Sequence, residues 1–303
     1  MADPVYLDCD TGVDDALALA LLLGSADLLG AGTVSGNTGA EQAARNTLDL
    51  LALGGRADVP VATGARHSLT GTFRGAGVVH GGNGVGGVRL PRSAAEPVPV
   101  AAADLLIALA RARPGTLRVL ATGPLTNLAV ALRREPGLPR LVRDVTVMGG
   151  AVRVPGNVTG HGEANIADDP EAAAEVLAAG WPVTLVPLDV TMRHCFGPAD
   201  QDALRAHGTP LAAALADVLT AYLDYYEPVL GERRMPLHDP LAAAVLTGAV
   251  TPAEAPELGL RVGLTDRRGG LTEDPDAPRR TRVVLSLTEP AAPVLRDLIL
   301  AGT

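Results

Sequence analysis

The chain has no lysine: all 25 of its basic residues are arginine. That absence excludes Schiff-base chemistry, a pyridoxal phosphate anchor and a P-loop lysine. Aromatic residues are scarce, with four Tyr, two Phe and one Trp, and the net charge is -9. A polynucleotide partner is therefore not expected, because nucleic-acid grooves need basic surface and stacking rings. The two cysteines, Cys9 and Cys195, are too few for a disulfide framework and lack CxxC spacing, which suits a reducing cytoplasm. Their ordinary role is that of small buried hydrophobes. No long apolar run is present either. The longest, Ala16 to Leu23, is too short to span a bilayer, and no basic leader precedes the first expected strand. The reading is of a soluble protein with neither membrane anchor nor export signal.

What is present is a well-supplied core. The 303 residues are 47% hydrophobic and 19% charged, far from a disordered composition. Short β-type runs alternate with longer helical patterns: Val5 to Cys9, Gly32 to Val34, Val59 to Ala62, Leu117 to Ala121, Val145 to Met148, Val183 to Val186 and Val283 to Leu287. Such alternation predicts an α/β protein with an open, mostly parallel sheet flanked by about eight helices. Helix starts are readable at Thr38 with Glu41 (a capping box), Asp169-Pro170, Thr209-Pro210 and Asp239-Pro240. An antiparallel hairpin is expected toward the C-terminus. No linker, charge block or repeat divides the chain, so residues 1–303 read as a single domain.

Gly71 to Pro91 carries too many glycines for a helix or a central strand and is expected to be a loop. Its Gly82-Asn83-Gly84-Val85-Gly86-Gly87 formally matches GxGxxG. A dinucleotide site needs a strand before that motif and a helix after it, and neither is expected.

The most informative segment is Asp8-Cys9-Asp10-Thr11-Gly12-Val13-Asp14-Asp15, in which four carboxylates fall within eight residues. Strand alternation puts Asp8 and Asp10 on one side, and Asp14 and Asp15 open a helix whose dipole favours anions. Capping explains one acid or two. Crowding four costs heavily in like-charge repulsion unless a cation or proton compensates. Oxygen ligands without a Cys or His cluster point to calcium or magnesium over zinc. The Asp8-x-Asp10 pattern is shared with haloacid-dehalogenase phosphatases, but those place Thr or Val where Gly12 stands and usually use a lysine.

Other polar clusters also sit where strands are expected to end: Ser35-Gly36-Asn37, Thr122-Gly123-Pro124-Leu125-Thr126-Asn127, Met148-Gly149-Gly150 and Leu188-Asp189-Val190-Thr191. In an open parallel sheet these ends form one crevice, where ligands bind. Asn157, Glu163-Ala164-Asn165 and His238-Asp239-Pro240 follow. Singly, each has an ordinary reading as a turn, loop or cap residue.

Taken together, these segments resemble the inosine/uridine-preferring nucleoside hydrolase family over nearly the whole chain. Asp8 to Asp15 is similar to the family's N-terminal DxDPGxDD, and Val34 to Asn37, Leu125 to Asn127, Met148 to Gly150, Glu163 to Asn165 and His238 to Pro240 follow in family order. Thr11 replaces the usual proline, which relaxes a turn. The His80 to Gly84 loop lacks the acid commonly found there, which bears on substrate contacts.

The resemblance implies a Rossmann-like nucleoside hydrolase fold and calcium-dependent cleavage of the N-glycosidic bond of ribonucleosides to ribose and free base. It implies calcium held by Asp10, Asp15, Asp239 and the main-chain carbonyl of Thr126. It implies ribose contacts from Asp14, Asn37, Asn157, Glu163 and Asn165, and a homodimer or homotetramer. Asp10 is the candidate base for water. His238 is the candidate proton donor to the departing base, with His80 second, and Tyr222, Tyr225 and Tyr226 stand between core packing and lining of the base pocket. Two other readings stand beside this one: hydrolysis of a modified nucleoside or other N-ribosyl compound, and a calcium-dependent ribosyl-binding protein without turnover. Purine and pyrimidine bases are equally compatible with these residues.

Overall fold

A computed structural model describes residues 2–71 and 73–303; Thr72, within the expected Gly71 to Pro91 loop, lies outside the described residues. Six strands come first in the chain: β1 (Pro4–Cys9), β2 (Asp27–Thr33), β3 (Val61–Thr63), β4 (Leu117–Ala121), β5 (Val142–Met148) and β6 (Val183–Val186). They pair in the order β3-β2-β1-β4-β5-β6, all parallel. Beyond β6 lie Arg280–Val283, parallel to it, then Glu257–Val262 and Leu271–Glu273 as the expected antiparallel hairpin, completing a nine-stranded sheet. The strand order reverses direction between β1 and β4. In doubly wound sheets of this order, that reversal opens a crevice at the carboxyl ends of the strands.

Strand β1 is buried along nearly its whole length because sheet neighbours flank it and helices cover it. The helix that follows, Val13–Ser25, is built from Ala and Leu, strong helix formers, and is buried from Val13 to Leu22. A helix apolar on every side must lie inside the protein. It packs chiefly against Pro210–Leu230, His238–Thr247 and Ala291–Ala301, and also touches Ala40–Leu53. Those contacts bring the first turn of one helix beside the first turn of another more than two hundred residues later.

Several expectations need correction. The Thr38/Glu41 capping box does not form; the helix starts at Ala40, whose N–H donates to Ser35 Oγ at 3.0 Å. Asp169 and Thr209 do cap their helices, each accepting from an N–H three residues on. Asp239 does not cap, because its helix begins one residue earlier at His238. The described residues hold thirteen helical segments, more than the eight or so expected. Those missed include single turns such as Gly77–His80 and Leu188–Thr191, too short to show a 3.6-residue period. β2 starts at Asp27, well before the expected Gly32, since Gly30 and Gly32 weaken the strand pattern. The run Val283 to Leu287 splits between the main sheet and a small ribbon with Pro252–Glu254. No helix among the described residues is long and apolar enough to cross a membrane.

Candidate functional site

Asp10 lies one residue beyond β1, in the turn that leads to the first buried helix. Its Oδ2 accepts the main-chain N–H of Asn37 at 2.7 Å and its Oδ1 the Asn37 side-chain amide at 3.0 Å. Asn37 stands in the loop after β2, so the β1–β2 register carries it to Asp10. The same Asn37 amide reaches Asp15 Oδ2 at 3.2 Å. Asp15 also accepts the Gly12 N–H at 2.7 Å and the Thr122 hydroxyl at 2.8 Å. It therefore caps its helix while its carboxylate lies against those of Asp14 and Asp239.

Close approach is built into this corner. A Cβ on Gly36 would sit 2.0 Å from Asp10 Oδ2, and one on Gly12 would sit 2.5 Å from both Asn37 Nδ2 and His80 Nδ1. Neither position has room for a side chain.

Asp14 points to the other side of the same helical turn. Its Oδ2 accepts the Tyr222 hydroxyl at 3.0 Å, while its Oδ1 is buried and has no hydrogen-bond partner among the described residues. Carboxylate oxygens of Asp14, Asp15 and Asp239 lie within 4.8 Å of one another, all three residues buried. Two oxygens on opposite sides of a calcium ion, each at about 2.3–2.6 Å, are separated by about that distance. The orphaned oxygen, the spacing and the all-oxygen donor set fit a hard cation. Among the described residues no arginine lines the neighbouring cavity. Burial raises Asp14 and Asp15 to about 6, and burial together with neighbouring carboxylates holds Asp10 and Asp239 well above the ordinary carboxylate value.

Asp8 departs from expectation. Instead of joining the cluster, its carboxylate accepts the Asn127 amide at 3.1 Å and the Tyr6 hydroxyl at 3.4 Å. Burial raises it to about 7. Its place in the carboxylate crowd is taken by Asp239, which no local pattern marks as a neighbour.

The cavity has a volume of about 410 Å³. Asp14, Asn37, Thr122, Asn157, Glu163, Asn165 and Asp239 line its polar part. Glu163 caps the short helix Ala164–Asp168 and accepts three main-chain N–H groups, from Gly150 at 2.7 Å, Asn165 at 3.0 Å and Ile166 at 3.3 Å. Burial nevertheless pushes it up to about 7. Asn165 donates to the carbonyls of Thr122 and Met148, tying the ends of β4 and β5 together. Asn157 accepts the Ala164 N–H at 3.1 Å. Thr126 is buried but is not among the lining residues; its hydroxyl donates to Asp169 at 2.6 Å.

The rest of the wall is aromatic and apolar, with Val79, His80, Leu188, Tyr222, Tyr225, Tyr226 and His238. The three tyrosines thus line the cavity and also stack edge-on in sequence, at 4.9 and 5.1 Å between ring centres. His80, in the single turn Gly77–His80, accepts the Val13 N–H on Nδ1 at 3.1 Å. That bond requires an unprotonated Nδ1, and burial pushes the ring's pKa down to about 4. His238 is engaged at both nitrogens, Nδ1 with the Thr191 hydroxyl at 2.8 Å and Nε2 with the Tyr226 hydroxyl at 3.1 Å. Burial lowers it to about 3. Thr122 and Thr191 have roles that sequence reading did not assign; both lay in segments flagged as polar strand ends.

Residues 5–292 match the model of the family described as inosine-uridine preferring nucleoside hydrolase. The pyrimidine-specific ribonucleoside hydrolase RihA of Enterobacter sp. (strain 638) is 40% identical over 249 residues, 81% of this chain and 79% of its own. Probable uridine nucleosidase 2 of Arabidopsis thaliana is 36% identical over 256 residues, 82% of this chain and 80% of its own. Among solved structures, the plant nucleoside hydrolase PpNRh1 superposes with a TM-score of 0.91 at 29% identity, covering 100% of this chain and 99% of that one. A purine-preferring ribonucleoside hydrolase from Gardnerella vaginalis also superposes at 0.91, with 31% identity and coverage of 99% and 97%. With the family match spanning almost every element that frames the carboxylate crevice, the chain belongs to the inosine-uridine preferring nucleoside hydrolase family and is a hydrolase acting on N-glycosyl compounds.

Proposed function

We propose that this protein hydrolyses ribonucleosides to ribose and free base with a bound calcium ion. The observation that carries the reading is the meeting of the buried carboxylates of Asp14, Asp15 and Asp239, with Asp10 tied to Asp15 through the Asn37 amide, beside a cavity lined by Asp14 and Asp239 and, among the described residues, by no arginine. Asp15 and Asp239, from the observed cluster with Asp14, would hold the ion together with Asp10 beside Asp15 and Thr126 as main-chain contributor, with Asp14 bordering it; a bound ion would hold and polarise the attacking water. The remaining work belongs to the chain. Asp10, gripped at both oxygens by Asn37, takes the proton from that water. Asp14, Asn37, Asn157, Glu163 and Asn165 bind the ribose hydroxyls. The carboxylates of Asp14 and Glu163 favour the positive charge that develops on the sugar as the bond to the base lengthens. The tyrosine wall stacks on the base, and the His238–Tyr226 pair assists its departure.

The test is a panel of purine and pyrimidine ribonucleosides incubated with the purified protein, with release of free ribose as the readout. Ribose should appear, cease after exhaustive chelation and return with calcium. A calcium-dependent rise in melting temperature reads the ion independently of turnover. No ribose from any member, with calcium bound, would reverse the reading toward a binding protein.

The Gly36 contact supplies a sharper expectation. Gly36→Ala should displace the Asp10 carboxylate, since its Cβ cannot coexist with Oδ2 at 2.0 Å. A misplacement on the order of 1 Å costs about 10²-fold in rate. Ribose release should fall by about that much while circular dichroism stays unchanged; near-normal turnover would show that Asp10 has slack. The proposal also carries a homodimer or homotetramer, which sedimentation reads, and a cytoplasmic location, in keeping with Cys9 and Cys195 as free thiols.

A further inference from the structure

The helical turn Leu188–Thr191 follows β6 by one residue and ends on a threonine that the proposed reaction does not use. Thr191 is fully buried. Among the described residues its hydroxyl makes one hydrogen bond, to His238 Nδ1 at 2.8 Å. A hydroxyl can donate or accept, but here only one arrangement leaves nothing stranded. If Nδ1 carried the ring proton and donated to Thr191, the threonine's own hydrogen would be buried without an acceptor, which native interiors avoid. Thr191 therefore donates, Nδ1 accepts, and the ring proton sits on Nε2. There it meets the Tyr226 oxygen at 3.1 Å and donates to it.

The consequence passes to the next hydroxyl. Tyr226 lines the cavity, and its oxygen is already an acceptor from His238, so its hydrogen is left to point elsewhere. The neighbouring Tyr222 has committed its hydrogen to Asp14 Oδ2 at 3.0 Å, so of the two adjacent phenols only Tyr226 has a hydrogen to offer a ligand, in exchange for the Tyr222 oxygen beside it. We infer that Thr191 is a positioning residue: by locking His238 in the Nε2–H tautomer, it makes the Tyr226 phenol a hydrogen-bond donor to the base of a bound nucleoside. With the opposite tautomer, Nε2 would be an acceptor and would draw the Tyr226 hydrogen away from the ligand. The inference rests on the ribonucleoside hydrolysis proposed above, but its first readout does not.

The experiment uses calcium-loaded protein labelled with 15N-histidine. Long-range 1H–15N spectra report which ring nitrogen is protonated, and the His238 signals are those lost in His238→Gln. In the parent protein and in Thr191→Ser, Nε2 should be protonated and Nδ1 free; in Thr191→Val, which keeps the shape and removes the hydroxyl, the tautomers should mix. On uridine and inosine, Thr191→Val should lower kcat by about 10- to 100-fold, the usual cost of losing a group that orients another, with KM little changed. On 4-nitrophenyl riboside, whose leaving group needs no proton, the change should stay within about threefold, and Thr191→Ser should rescue all substrates. A protonated Nδ1 in the parent protein, an unaltered tautomer in Thr191→Val, or equal losses on both kinds of riboside would overturn the assignment. If no riboside is cleaved by the parent protein, the hydrolase reading falls, while the tautomer spectra still decide the role of Thr191.

Discussion

Asp10→Ala is expected to abolish ribose release, by about 10⁴-fold or more, while leaving the fold in place. The residue is both a proposed ligand of the cation and the proposed acceptor of the water's proton, so the variant loses activation and general-base catalysis together. Removing a general base alone costs about 10²- to 10⁴-fold. The fold should survive because, among the described residues, the hydrogen bonds of Asp10 stay within its corner, to Asn37, and its loss relieves like-charge crowding with Asp14 and Asp15. Steady-state ribose release, calcium content and thermal melting should be measured side by side. Asp10→Asn separates the two roles further, since it keeps the shape and removes the base. A variant with near-normal turnover would show that another group takes the proton, with Asp14 the first alternative because one of its oxygens has no partner.

His238→Ala should split natural from activated substrates. Departure of a purine or pyrimidine anion is unfavourable without a hydrogen-bond donor or acid, whereas nitrophenolate leaves unaided. The variant should lose about 10²- to 10⁴-fold in kcat on a nucleoside and retain much of its rate on 4-nitrophenyl riboside. The geometry refines how the side chain would act: both ring nitrogens are engaged, so His238 reaches the base through the Tyr226 hydroxyl, not as a free cationic ring. Tyr226→Phe should therefore show the same split between substrates. Equal losses on both substrates would assign His238 a structural role and leave His80 as the remaining histidine in the cavity wall.

Much of this protein could be read without coordinates. Strands Leu117–Ala121 and Val183–Val186 were bounded correctly because central parallel strands are short, apolar and closed by Gly or Pro. The caps at Asp169 and Thr209 were legible because capping is a local reaction between a side chain and N–H groups three residues away. The motif order also carried the family, since the clusters at Asp10, Asn37, Thr122 to Asn127 and Met148 to Gly150 sit at the ends of neighbouring parallel strands, where the sheet gathers its loops.

What the sequence could not decide were the pairings between distant segments. Asp8 and Asp10 share a strand face by alternation, yet only packing against Tyr6 and Asn127 turns Asp8 out of the cluster. Asp239 looks like an N-cap from its neighbours. It becomes a site residue because its helix lies against the helix of Asp14 and Asp15. Protonation patterns are more remote still: the tautomer of His238 depends on a hydroxyl 47 residues away that its own segment never mentions. Local chemistry therefore determined which residue types stand at the strand ends. Tertiary packing decided which of them meet and which hydrogen each one holds, because carboxylate clusters and hydrogen-bond relays depend on distances of a few ångströms between residues far apart in the chain.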